Sequence, residues 1–149
     1  MPTTSGVFPC WENQFKIDTT GGDGSTAANL KTIADMESFS VSIDGNIEEW
    51  KAYDQEGWTR RLVTGKSISI SVSGKRNMGD AGNDYVAGLA VKTGTDCKTA
   101  VLWTFPSGAT LLVPCVINVT EWEAGDSTAV APLAFEIQSD GKPTFTPAT

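Results

Sequence analysis

Lys66-Ser67-Ile68-Ser69-Ile70-Ser71-Val72-Ser73-Gly74-Lys75-Arg76 is the stretch that decides the class of this fold. Ile68, Ile70 and Val72 alternate with Ser67, Ser69, Ser71 and Ser73. A period of two puts branched apolar side chains on one face and small hydroxyls on the other, which is a β-strand. Gly74 ends the run, and the turn-rich Asn77-Met78-Gly79-Asp80 follows. Tyr85, Val86, Leu89 and Ala90 then fall at helical spacing. Asp80 or Asn83 can cap this short helix by accepting from an orphan backbone N–H. Gly94 is expected to end it in the left-handed conformation.

Working outward, most of the chain reads as strand. Phe39, Val41 and Ile43 alternate with serines and Asp44, and Asp44-Gly45-Asn46 is a turn signal. Trp58, Arg60 and Leu62 alternate again, and Thr64-Gly65 punctuates before the deciding strand. Between them, Asn46 to Gly57 is too irregular for a strand and reads as a long loop or helical turn holding Ile47, Trp50 and Tyr53. Lys98 to Phe105 is a strand with Val101, Trp103 and Phe105 on one face, and Pro106-Ser107-Gly108 is a tight connection. Thr110 to Trp122 returns with Leu111, Val113, Cys115, Ile117 and Val119 on one face, and Leu112, Pro114 and Val116 on the other. Such a strand has no wet face for half its length, whereas an antiparallel strand at a monomer's surface normally has one. Proline favours edges and strand starts. Leu112, Pro114, Val116 and Pro132, the last near the start of a final strand over Ala129 to Gln138, are therefore expected at a sheet edge or subunit interface.

The expected class is mainly β: a β-sandwich or barrel with one short flanking α-helix, an N-terminal arm over residues 1–35 and a single domain over 36–149. The arm contains the flexible run Thr19 to Thr26 yet carries Phe8, Trp11 and Phe15. These aromatics imply contacts, either across the chain's own domain or on a neighbouring subunit.

The 149 residues suffice for one real core, and at 40% hydrophobic and 19% charged the composition is globular. No apolar run is long enough for a membrane span. The N-terminus lacks a basic region followed by an apolar stretch, so no secretory signal is expected. Eleven Lys and Arg against 18 Asp and Glu leave a net charge of −7, which opposes tight nucleic-acid binding. Histidine is absent, removing the commonest general base and metal ligand. Cys10, Cys97 and Cys115 form no Cys-x-x-Cys pair and are expected as free thiols. Glu121 and Glu123 point in parallel along one strand instead of across a substrate, as glycoside hydrolysis would need. Asp80 to Asp84 misses calcium-loop spacing. No catalytic residue, metal site or cofactor is expected. Trp50, Trp58, Trp103 and Trp122 leave open a sugar-stacking platform, as in carbohydrate-binding modules, although most tryptophans serve cores and interfaces.

The ordered pattern resembles the major tail tube protein of long-tailed, siphovirus-like bacteriophages. The resemblance rests on the serine strand ending Ser73-Gly74-Lys75-Arg76 and the segment Asp80 to Val86. It rests also on the hairpin Trp103 to Ala109, and on Leu133 to Ile137 followed by Ser139 to Pro143. It implies a structural virion protein, not an enzyme, that self-assembles into stacked hexameric rings. Double-stranded DNA would pass through the resulting tube without specific binding. Implied partners are the chain itself and the tape measure, tail tip and tail terminator proteins, with no membrane. The implied location is the virion tail, after assembly in the host bacterial cytoplasm. The inner tube of a contractile tail or secretion-like machine is a close relative of this reading. Within the resemblance, Ile47, Trp50 and Tyr53 fall on the loop that reaches the adjacent ring. Ser67, Ser69, Ser71 and Ser73 are candidates for the lumen face.

Overall fold

A computed structural model describes residues 5–148. The described strands are β1 (Gln14–Asp18), β2 (Leu30–Thr32), β3 (Met36–Lys51), β4 (Thr59–Lys75), β5 (Lys98–Thr104), β6 (Thr110–Trp122), β7 (Pro132–Ser139) and β8 (Thr144–Thr146), with one α-helix, α1 (Ala81–Gly88), between β4 and β5. They form one sheet in the order β2-β1-β5-β6-β7-β4-β3, with β8 on the side of β6, and every pairing is antiparallel.

The sheet is rolled. Phe15 on β1 and Phe39 on β3 come from opposite regions of the strand order, yet their rings meet edge-on with centroids 4.9 Å apart. Trp103 stacks on Phe15 at 5.6 Å and meets Phe39 edge-on at 5.7 Å. Each such pair adds about 0.5–1.5 kcal/mol beyond its buried area. Inside the roll lie Ile70, Val72, Val101, Val113, Ile117, Phe135 and Ile137, all buried. Val86, Ala87 and Leu89 from α1 and the 3-10 turn after it complete this core.

Asp80 is the helix cap: its carboxylate accepts from the Asn83 N–H at 3.1 Å and also from the Ala34 N–H at 3.1 Å. Gly94 does not end the helix, which gives way at Leu89 to a 3-10 turn; Gly94, at φ +68, opens the next turn. Gly74 permits the closest approach at any of the described glycines. A Cβ there would stand 2.3 Å from the Asp35 carbonyl oxygen, which accepts from the Lys75 N–H at 2.8 Å.

Three sequence expectations are corrected. First, neither Asp44-Gly45-Asn46 nor Thr64-Gly65 interrupts its strand. A bulge between Asn46 and Ile47 absorbs the irregularity, and the Asn46 side chain donates to the Thr64 hydroxyl across the ladder at 2.8 Å. The presumed loop at 46–57 is therefore strand as far as Lys51, and the reversal is a short 3-10 turn at Tyr53–Gln55. Second, β6 is not an edge: over Leu112, Pro114 and Val116 it has β5 on one side. On its other side are β8 at Leu112 and β7 from Cys115 onward. Pro114 fits because backbone N and O of one strand residue point the same way. Its carbonyl accepts from Asp140 N–H at 2.8 Å, so its missing N–H faces the gap between β7 and β8. Pro132 is the first residue of β7, a position open to proline. Third, residues 14–18 and 30–32 of the presumed arm are sheet strands, with Phe15 and Ile17 in the core.

The connection 19–26 covers part of the apolar outer side of β6. A Cβ on Gly24 would stand 2.7 Å from Leu112 Cδ1, and Gly24 adopts φ +77. Asp18 pins this connection. Its buried carboxylate accepts from Thr20 N–H at 2.9 Å, Thr20 hydroxyl at 2.5 Å and Gly24 N–H at 3.1 Å. Burial pushes its pKa up, but the bonds from Thr20, Gly24 and Gly22 outweigh that and hold it below the ordinary value. A lowered folded pKa contributes stability above the unfolded carboxylate's value of about 4, lost as pH falls through the folded value. Asp18→Asn is thus expected to melt below wild type at pH 7, and the difference should shrink as pH falls below about 4. Calorimetry across pH checks this; a gap independent of pH would reject it.

The thiols differ in access. Cys10 is exposed, whereas Cys97 and Cys115 are buried, and all three are free. Burial pushes the Cys115 thiol up to about 12. Iodoacetamide at pH 8 should label Cys10 on the native subunit and the other two only after unfolding, as mass spectrometry would read.

Candidate assembly surfaces

The hairpin of β3 and β4 is the first surface. Its root belongs to the core, but beyond Ile43 and Ile68 it leaves the body and both strands are exposed. Isolated two-stranded ribbons are marginal in water, and this one is laced across its strands. Glu49 and Arg61, directly opposite, pair at 2.7 Å, and Arg60 lies 5.5 Å over the ring of its partner Trp50. The extra residue of the bulge, Thr64, lies on β4, so β3 keeps its alternation and Trp50 shares with Leu62 and Trp58 the side that bears the serines nearer the root, while Ile47 and Val63 stand on the side of the core. Ile47, Trp50, Tyr53, Trp58, Leu62 and Val63 are all exposed.

A small polar face is the second surface. Ser38, Ser40 and Ser42 on β3 lie opposite Ser73, Ser71 and Ser69 on β4, and Asp44 lies opposite Ser67. On the other side of β4, Ser73, Ser71 and Ser69 face Ala134, Glu136 and Gln138 of β7. Asn118 of β6 continues the face beside Glu136. Its charged members are the carboxylates of Asp44, Glu136 and Glu121, the last opposite Ala134, and at its end Lys75, which pairs with Glu37 at 3.1 Å. The face is smooth because serine and alanine barely protrude, and it is wet because its hydroxyls need water.

Open edges form the third. Among the described residues β3 pairs only with β4. β5 follows β6 no further than Val116, so Ile117 to Trp122 have β7 on one side and, among the described residues, no strand on the other. The four-strand slab β3-β4-β7-β6 thus carries an unpaired edge on each flank, a liability that soluble proteins normally cover.

The last is a cleft of 670 Å³ between the edge of β3 at Met36–Val41 and the segment Cys10–Phe15, floored by Phe15, Phe39 and Val72. The arm residues Phe8 and Trp11 are exposed, with Trp11 on the cleft rim. The arm is anchored just behind them, where Asn13 accepts from the Trp103 indole N–H at 2.9 Å.

The four candidate tryptophans do not gather on one platform. Trp103 lies in the Phe15–Phe39 cluster, Trp50 and Trp58 on the hairpin, and Trp122 at the end of β6. Glu123 turns away from Glu121 at φ +54 and reaches within 3.9 Å of Arg76 Nε. Among the described residues no cluster of metal-ligating side chains occurs, and no helix is long and apolar enough to cross a membrane. Sequence reading missed the open flank of β6 and the length of the hairpin. The alternating opposite charges Glu49 and Arg61 were the one signal that could have revealed the latter.

A family model described as "Phage tail tube protein" matches residues 15–145. Among solved structures, a chain from the tail of an empty gene transfer agent particle, computed with helical refinement and C6 symmetry, is similar at TM-score 0.73 and 20% identity. The alignment covers 95% of this chain and 100% of that one. A chain from the virion of a native gene transfer agent particle is similar at TM-score 0.70 and 18% identity, with the same coverage. No curated protein matches by sequence.

Proposed function

The chain belongs to the phage tail tube protein family, and from this premise we propose that its copies join edge to edge into six-membered rings that stack into a DNA-conducting tube. The observation that carries the reading is the slab β3-β4-β7-β6, with one open edge on each flank and one smooth polar face. Its strands alternate in sense, so β3 and β6 run in opposite directions. An even number of alternating strands lets the β3 edge of one copy meet the β6 edge of the next and stay antiparallel. Closing the ring then removes both edges. Six-fold closure is supported by the C6 symmetry of the similar gene transfer agent tail.

In such a ring the serine face lines the channel. Neutral hydroxyls with the carboxylates of Asp44, Glu121 and Glu136, and a Lys75 already paired with Glu37, offer phosphates little to grip, so DNA slides. The role is structural, and no residue is assigned to catalysis. Tape measure, tail tip and tail terminator proteins are the partners expected at the ends of the tube, and assembly in the host cytoplasm is the matching location. Negative-stain electron microscopy of concentrated protein tests the reading. Tubes or six-fold rings are expected; dispersed single particles at every concentration would reject it. A density map of the tube then checks the lumen, where a surface dominated by Lys and Arg would overturn the sliding argument.

A further inference from the structure

We propose that Trp122 and the β6–β7 connection of one copy plug the cleft beside β3 of the next, making a second, apolar contact behind the edge-to-edge joint. The inference rests on the ring reading above. Three observations lead to it.

The first is continuity: the wall of the cleft is the open edge of β3 itself, over Met36–Val41. Any strand that pairs with this edge arrives at the mouth of the cleft. The second is the side on which Trp122 stands. It lies opposite the fully buried Leu133, so it occupies the core-facing side of β6, away from the serine face. Its own subunit leaves it 45% exposed, at the end of the open stretch of β6. Phe39 and Val41, which line the cleft, stand on that same side of β3, opposite Val72 and Ile70.

The third is level. The ladder aligns Met36 with Gly74, Gly74 with Leu133 and Leu133 with Trp122. Rotation about a tube axis returns every residue to its own height, so with the strands of the slab set along that axis the neighbour's Trp122 comes back at the level of Met36, beside Phe39, and strand tilt slides it along the β3 edge. An aromatic ring then meets an aromatic-floored cleft, the pairing typical of interface anchors. Val130, exposed on the connection that follows, is placed to extend the contact.

Native Cys10 lines the cleft and is exposed, which supplies a probe without a substitution in the interface. Subunits carrying a benzophenone maleimide on Cys10 would be co-assembled at trace level with an excess of nitrogen-15 subunits, irradiated and digested. The expected product joins Cys10 to a heavy peptide containing Trp122 or the following connection, in tubes and not in dispersed subunits. Cross-links to heavy residues 5–9 or 47–58, or only within the labelled copy, would overturn the proposal while leaving the tube reading intact. Failure of unlabelled wild type to form rings or tubes at all would remove the tube reading itself. As a second measurement, Trp122→Ala should raise the critical concentration for assembly about 30-fold, and Trp122→Phe should recover most of it, with circular dichroism confirming the fold. An unchanged critical concentration for a folded Trp122→Ala would also overturn the proposal.

Discussion

Subunits in which Trp50, Tyr53 and Trp58 are all replaced by alanine should fold normally and form no long tubes. The three side chains stand on the projecting hairpin, and none belongs to the core. Trp50 is 41% exposed, and Arg60 lies over its ring, a cation–π contact worth about 0.5–1 kcal/mol at an exposed site. Removing the aromatics therefore costs the isolated fold little. Their cost to assembly is expected to be large. An exposed ribbon does not need tryptophan and tyrosine for itself, and buried aromatic anchors typically contribute about 2 kcal/mol or more each at an interface. If the hairpin bridges successive rings, the loss recurs at every ring. Trp50→Ala alone should shorten tubes and the triple replacement should abolish them. Far-UV circular dichroism reads the fold and electron microscopy the tubes. Normal tubes from the triple variant would reject the inter-ring role, and an unfolded one would show that the hairpin packs on its own body.

Asn83→Ala is expected to cause the largest loss of subunit stability. Asn83 is fully buried, and all of its amide is used. Its Nδ2 donates to the carbonyls of Ala34 at 3.1 Å and Lys75 at 3.0 Å. Its Oδ1 accepts from Arg76 Nη1 at 2.9 Å and from Asn77 N–H at 3.0 Å. One side chain thus ties α1 to the end of β4 and to the link before β3. Truncation strands several buried partners, each at a cost of about 1–3 kcal/mol. With partial rescue by water, a net loss of about 3 kcal/mol is expected, against a total stability of roughly 5–15 kcal/mol. The melting temperature should fall by about 6–12 °C. Asn83→Asp should also destabilise at neutral pH, because a carboxylate oxygen would replace the amide donor before two carbonyls. That defect should ease as acid protonates it. A melting temperature within 2 °C of wild type for Asn83→Ala, by the same scale less than about 1 kcal/mol, would show that the network is dispensable.

The neighbouring Arg76 shows why this network resists sequence reading. It pairs with Asp84 at 2.8 Å, while its buried Nε finds no hydrogen bond and has Glu123 only at ion-pair distance, 3.9 Å. Asp80 and Asn83 look alike to a capping argument, since both carry a short side-chain oxygen before a helical run. Both reach Ala34, 46 and 49 residues away, Asp80 by accepting from its N–H and Asn83 by donating to its carbonyl, and the structure separates them because Asp80 also accepts from a helix N–H whereas Asn83 Oδ1 accepts from Arg76 and Asn77.

Local alternation by itself determined the strand class, the serine stripe and the helix position. Those features depend on a period of two or 3.6, and period is a property of neighbouring residues. The resemblance that pointed to the tail tube family drew on the same local patterns in order. Tertiary structure alone decided where the strands stop and what they sit beside. Gly45 and Gly65 read as breaks, yet pairing along the β3–β4 ladder carries both strands through them, because ladder hydrogen bonds and the Asn46–Thr64 contact outweigh a weak local preference. Pro114 reads as an edge residue, yet it lies mid-sheet because its missing N–H falls in the gap between two partner strands. Phe15 reads as part of an arm, yet it is core because the sheet rolls β1 against β3. In each case the deciding partner is far away in the chain, and long-range pairing is what local periodicity cannot encode.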